Sequence, residues 1–195
     1  MKAPLFEFPS YQYVIDDWDF VKKGLLNRIS KCDFIRTPLQ TFETDRQTDK
    51  GKGWVHYLQD VLRPILFEFC EEAQVTCGMT DAWCVRYQKG DHQTIHNHRG
   101  WGFTGVLYVE FDPQVHTPTC FVSPWQEPRT DTTFLSFPKN VKEGTVVIAP
   151  SFTFCGYARD VVSVLGSCHG AIKQVGVWTF GSYSTYKIPV NPHPL

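Results

Sequence analysis

Residues 87–111 read YQKGDHQTIHNHRGWGFTGVLYVEF and hold two patterns back to back. The second, FTGVLYVEF (103–111), is an aromatic and β-branched run of strand length, and it predicts a buried strand. The first carries three histidines, His92, His96 and His98, close together after a Gly90–Asp91 turn signal. On a strand, residues i and i+2 point to the same face. A His96-x-His98 strand therefore aims two imidazoles at one point, as two adjacent ligands of a metal ion require. The other reading is a row of histidines on a solvated strand, and a His-x-His pair arises often enough by chance that it does not decide alone. His92 shares the parity, but it lies next to the bend at Gly90–Asp91, which can turn it away.

Outward from this stretch the same texture continues. AWCVRYQ (82–88) precedes it, and TCFVSP (119–124), TFLSFP (133–138), GTVVIAP (144–150), FTFCGYA (152–158), VVSVL (161–165) and KQVGVWTFG (173–181) follow. Gly, Pro, Asp and Asn punctuate the runs. Many short strands separated by such turns predict a sandwich or barrel. The N-terminal part differs. DDWDFVKKGLLNRISKC (16–32) places Trp18, Val21, Leu25, Leu26 and Ile29 at helical spacing, with Asp16 or Asp17 as the expected N-cap. TDRQTDKGKG (44–53) reads as a loop. WVHYLQDVLRPILFEFCEEA (54–73) is a second helical pattern, and Pro64 in its middle predicts a kink or a break. The expected architecture is mainly β: one domain over 1–195, with helices in 1–80 packed on one face of a jelly-roll core over 81–190.

The 195 residues suffice for one substantial core, and 42% hydrophobic with 15% aromatic content is that of a globular chain. A net charge of −1 offers no basic stripe for nucleic acid, and no apolar run reaches membrane-spanning length. The opening residues lack the apolar stretch of a signal peptide. Seven scattered cysteines with no C-x-x-C pair suggest neither a zinc knuckle nor a disulfide scaffold. The expected setting is cytoplasmic: the host cytoplasm, or the virion if the chain is phage-encoded. Trp83, Trp101, Trp125 and Trp178 read as core or pocket wall.

The spacing Tyr87-x-x-Gly90-x-x-Gln93-x-x-His96-x-His98 resembles a segment of the prolyl-hydroxylase-like Fe(II)/2-oxoglutarate-dependent dioxygenases, which runs Tyr-x-x-Gly-x-x-Tyr-x-x-His-x-Asp. TGVLYVEF (104–111) resembles that family's next strand. PKNVKEGTVVIAPSFTFCG (138–156) resembles its approach to the distal histidine, and the N-terminal helices resemble phage and bacterial members. The resemblance implies a double-stranded β-helix, a jelly roll of cupin-like form, with iron held by two histidines and a carboxylate. Two positions depart from that set. His98 stands where the aspartate belongs, and Cys155 falls where the distal histidine belongs; a cupin pattern counted from Gly144 and Pro150 reaches the same cysteine.

The resemblance assigns roles residue by residue. His96, His98 and Cys155 are the metal-ligand candidates. A thiolate preserves the formal charge of the set, yet it is softer than a carboxylate and favours zinc or Cu(I). A plain core cysteine is the equal alternative for Cys155, and His169 is a substitute ligand. Lys173, with Arg159 as rival, is expected to hold the 2-oxoglutarate carboxylate, and Tyr87 and Gln93 to line that pocket. The implied activity is hydroxylation of an unidentified small-molecule or protein substrate, with Fe(II) and 2-oxoglutarate as cofactors. The alternatives are a cupin-like metal protein without 2-oxoglutarate, and an inactive jelly-roll module that binds or builds, for instance in a phage virion; the partners expected are a substrate and, as a homo-oligomer or in virion assembly, further copies of the chain.

Overall fold

The computed structural model describes residues 10–36, 41–48, 53–88, 91–93, 96, 102–122, 135–136, 138–150, 154–156 and 173–182, with 122, 135–136, 154–156 and 173–182 as backbone only. Two helices and nine strands are present among them: β1 (Tyr11–Val14), α1 (Trp18–Ile29), β2 (Glu43–Thr44), α2 (Gly53–Ala73), β3 (Cys77–Tyr87), β4 (Gly102–Glu110), β5 (Cys120–Val122), β6 (Leu135–Ser136), β7 (Thr145–Pro150), β8 (Phe154–Gly156) and β9 (Lys173–Ser182). The strands form a six-stranded sheet, ordered β1-β7-β4-β9-β3-β2, and a three-stranded sheet, β6-β5-β8. The strand pairings in both are antiparallel.

Residue parity assigns the two faces of the large sheet. Ala82, Cys84, Leu107, Val109, Val146 and Ile148 share a buried cluster with the helices. Their neighbours Trp83, Val85, Tyr87, Val106, Tyr108, Val147 and Ala149 belong to a second cluster with Phe42 and with Phe121 of the small sheet. The layers are therefore helices, large sheet, small sheet. Both faces of the large sheet are covered, which is why β4 and β7 read as nearly unbroken apolar runs rather than as alternations. In β3 a bulge between Met79 and Asp81 shifts the register, so that Cys77 and Met79 before it face the helices as Ala82 and Cys84 do after it.

Helix α2 buries Trp54, Leu58, Leu62, Ile65 and Phe69, a single stripe at spacings of three and four. Pro64 does not break it; the helix runs through Gly53–Ala73 with the proline on its exposed side. Helix α1 buries Leu25 and Ile29 and packs Trp18, Val21 and Leu26 around the core. Asp17 occupies its N-cap in left-handed conformation (φ 47°), but its side chain makes no capping bond. Gly24 sets the approach of the two helices, since a Cβ there would lie 2.5 Å from the Tyr57 hydroxyl. Two N-terminal strands, β1 and β2, were not evident in the sequence; they form the two edges of the large sheet.

Among the described residues Asp45 is the one charged side chain that is fully buried. Its Oδ2 accepts the Trp54 indole N–H at 2.9 Å and its Oδ1 accepts the Cys84 backbone N–H at 2.7 Å. The carboxylate thereby fastens the loop after β2 to the start of α2 and to mid-β3. Also among the described residues, no helix is long and apolar enough to cross a membrane.

Candidate active site

The site lies where β3 ends, on the sheet face turned away from the helices. Tyr87, the last residue of β3, is buried against Phe42, with ring centroids 5.4 Å apart. Its hydroxyl donates to Gln93 Oε1 at 2.9 Å. That bond turns the amide so that Gln93 Nε2 faces His96 Nε2, 3.2 Å away. With the amide nitrogen as donor, His96 Nε2 is the acceptor and holds the ring's free lone pair, the form in which an imidazole ligates a metal. His96 is half-buried and sits at an isolated bridge rather than within a continuous strand.

The sheet register brings a fourth position to the same place. Lys173 opens β9 and is the antiparallel partner of Tyr87. Directly opposed residues have Cα atoms about 4.5–5.5 Å apart. Tyr87 and Lys173 are 86 positions apart in sequence, and the pairing of β3 with β9 closes that gap.

Two contacts hold the segment that carries Gln93. Arg36 forms a bidentate ion pair with Asp91, at 2.8 and 2.7 Å, and Asp91 also accepts the Gln88 N–H at 2.7 Å. The hydrogen bond to Asp91 raises the Arg36 guanidinium above its ordinary value. Thr41 clasps His92 through its backbone: its hydroxyl donates to the His92 carbonyl and accepts the His92 N–H. Arg36 and Thr41 thus brace residues 91 and 92. Sequence reading missed Arg36 and Thr41 altogether. Asp91 carried a signal, as part of a turn dipeptide, but its partner 55 residues earlier did not.

The other ligand candidates are placed only in part. Cys155 is the central residue of β8, paired in register with Phe121 of β5, whose ring lies in the cluster that contains Tyr87. His98, His169 and Arg159 lie outside the described residues, as does the VVSVL run. Trp83 is buried core beneath the Arg46 guanidinium, 4.2 Å from its ring. Among the described residues no group of three metal-ligating side chains is assembled. The donor chemistry of His96 fits a metal, provided the Gln93 amide yields its place on Nε2.

No protein-family model matches the sequence, and no curated protein matches it. Solved structures do. The chain superimposes on HygX from Streptomyces hygroscopicus, solved with nickel, 2-oxoglutarate and hygromycin B bound, at TM-score 0.68 and 10% identity, covering 89% of this chain and 83% of that one. The fold is that of the 2-oxoglutarate- and Fe(II)-dependent oxygenases. A prolyl-4-hydroxylase from Pseudomonas putida aligns at TM-score 0.55 and 11% identity, over 88% of this chain and 92% of its own. A viral collagen prolyl hydroxylase from Paramecium Bursaria Chlorella virus-1, in complex with 2-oxoglutarate, aligns at 0.53 and 12%, over 88% and 94%. The resemblance to the oxygenases is thus met again in three dimensions, as a mostly stranded fold with two helices, at identities of about 10%.

Proposed function

We propose that the chain is a non-haem Fe(II)/2-oxoglutarate-dependent oxygenase built on a double-stranded β-helix over the single domain 1–195. The substrate is a small molecule or a protein side chain. One observation carries the reading: Tyr87, Gln93 and His96 are joined by hydrogen bonds, and β9 sets Lys173 opposite Tyr87. A cation, a phenol and an amide beside an imidazole are what a dicarboxylate lying next to a metal needs. In this reading His96 and His98 hold the iron, and Cys155 occupies the third ligand position.

When bound, iron and 2-oxoglutarate supply the oxidant, with O2 consumed, one oxygen atom entering the substrate C–H bond and the other leaving in succinate as CO2 is lost. The residues do the positioning. Lys173 neutralises the far carboxylate of 2-oxoglutarate through a charge-assisted hydrogen bond. Before metal binds, the Tyr87 hydroxyl orients the Gln93 amide, which holds His96 in the tautomer with Nε2 unprotonated. Phe42, Val85 and Phe121, buried around Tyr87, exclude water from one side of the pocket.

Calorimetry with protein purified anaerobically tests this. 2-Oxoglutarate binds only when Fe(II) or Mn(II) is present, and Lys173→Ala weakens that binding by about 1.5–3 kcal/mol, the range for a hydrogen bond to a charged group. Absence of metal-dependent binding to the unaltered chain would overturn the reading and leave the inactive jelly-roll module in its place.

A further inference from the structure

On the opposite side of the large sheet, where α2 meets β3, two cysteines face one another. Cys70 lies in the last turn of α2 and Cys77 opens β3. Their Sγ atoms are 3.2 Å apart. The turn between them is built rather than loose: Gln74 adopts the left-handed conformation (φ 54°), and the Val75 N–H donates back to the Cys70 carbonyl at 3.0 Å. This helix-ending motif folds the chain back so that the helix residue and the strand residue meet. A disulfide requires an S–S distance near 2.05 Å, roughly 1.2 Å closer, which a modest side-chain rotation supplies.

The pair is also reachable. A groove of about 530 Å³, lined by Arg63, Leu66, Cys70, Val75, Cys77 and Met79, opens onto it. Both cysteines are partly exposed, unlike Cys84 and Cys120, which are buried. We propose that Cys70 and Cys77 are a peroxide-responsive modification site, closing to a reversible disulfide that staples the end of α2 to the start of β3. The inference is independent of the oxygenase reading.

The chemistry balances with hydrogen peroxide as the two-electron oxidant. The Cys70 thiolate attacks one peroxide oxygen, the O–O bond breaks, and hydroxide leaves, giving a sulfenic acid. The Cys77 sulfur then attacks the Cys70 sulfur; the S–S bond forms, the S–O bond breaks, and the Cys77 proton leaves with the hydroxide as water. The order follows from the environment. Burial first, and then the hydrogen bond with Cys70, pushes the Cys77 thiol up to about 12. A thiol raised in this way is a poor source of thiolate, so the first attack is assigned to Cys70 and the second to Cys77.

The full chain is exposed to hydrogen peroxide, its remaining thiols are blocked with a maleimide, and it is cleaved after Glu71 and Glu72, which separates the two cysteines. The expected product is a Cys70–Cys77 cross-linked pair of peptides that reductant separates, with a loss of two thiols in the unaltered chain. Neither Cys70→Ser nor Cys77→Ser forms it. Closing so short a loop also raises the melting temperature of the oxidised chain by about 5 °C, reversed by reductant. Both thiols recovered as maleimide adducts, a cross-link that pairs either with another cysteine, or irreversible oxidation of Cys70 alone would each overturn the proposal.

Discussion

Asp45 illustrates how a single side chain can fix several elements at once. It is fully buried, and its two oxygens satisfy donors from α2 and β3. Asp45→Ala would strand the Trp54 indole N–H and the Cys84 amide N–H in the interior. Each buried unsatisfied donor costs about 1–3 kcal/mol, so for the two a loss of roughly 2–6 kcal/mol is expected in urea unfolding, with Asp45→Asn falling between. Nothing in the sequence announced this role, because TDRQTDKGKG has the composition of an ordinary solvated loop. The same holds for Arg36 and Thr41, whose partners are 55 and 51 residues away. Tyr87, Gln93 and His96 differ: they fall at intervals of six and three within one short stretch, where the oxygenase resemblance groups them, and hydrogen bonds join them in the structure.

At the scale of the element, the long apolar runs were read correctly as strands because β-branched and aromatic residues concentrate there and turn residues bound them. β1 and β2 escaped notice, being four and two residues long and drawing their pairing from strands far along the chain. Of the kink or break expected at Pro64, the break does not occur: α2 runs continuously through it. Leu62, Ile65 and Phe69 are buried against the sheet on either side of the ring, and that packing outweighs the lost backbone hydrogen bond. Since Pro64 points outward, Pro64→Ala removes no core contact and restores the donor. A gain of about 1–3 kcal/mol in unfolding free energy is expected, below or at the full helix-interior cost of proline. A loss of stability in the same measurement would mean that α2 depends on the curvature the proline imposes.

Over the whole molecule, four of the described thiols set an alkaline limit. Burial raises Cys32 and Cys84 above their ordinary value, Cys120 to about 11 and Cys77 to about 12. In the unfolded chain the same thiols ionise near 8.5. The folded state therefore retains protons that the unfolded state has given up, and stability must fall as pH rises above that value. The stabilisation is intact below about pH 8.5 and drains away until the folded thiols themselves titrate, most steeply for the buried Cys84 and Cys120 and less for the partly exposed Cys32 and Cys77. Urea midpoints measured from pH 7 to 10.5 should decline throughout the upper half of that range, and Cys120→Ala should flatten the decline. The order of the sheet was the part of the fold least open to sequence reading, since every strand of it finds its partner by tertiary packing rather than by local pattern.

That order bears on how the chain is born. β9, the last of the nine described strands to leave the ribosome, sits between β4 and β3 in the middle of the large sheet. Until it emerges, β1-β7-β4 and β3-β2 are two fragments, each with an open hydrogen-bonding edge along an apolar strand. Such edges invite pairing with a neighbouring nascent chain. Folding of the sheet must therefore wait for translation of residues 173–182, and these long-range pairings with β3 and β4 place the chain among the slower folders. A protein assembled this way would lean on chaperones in the interval, and its yield in a foreign host would be governed by what shields β3 and β4 before β9 arrives.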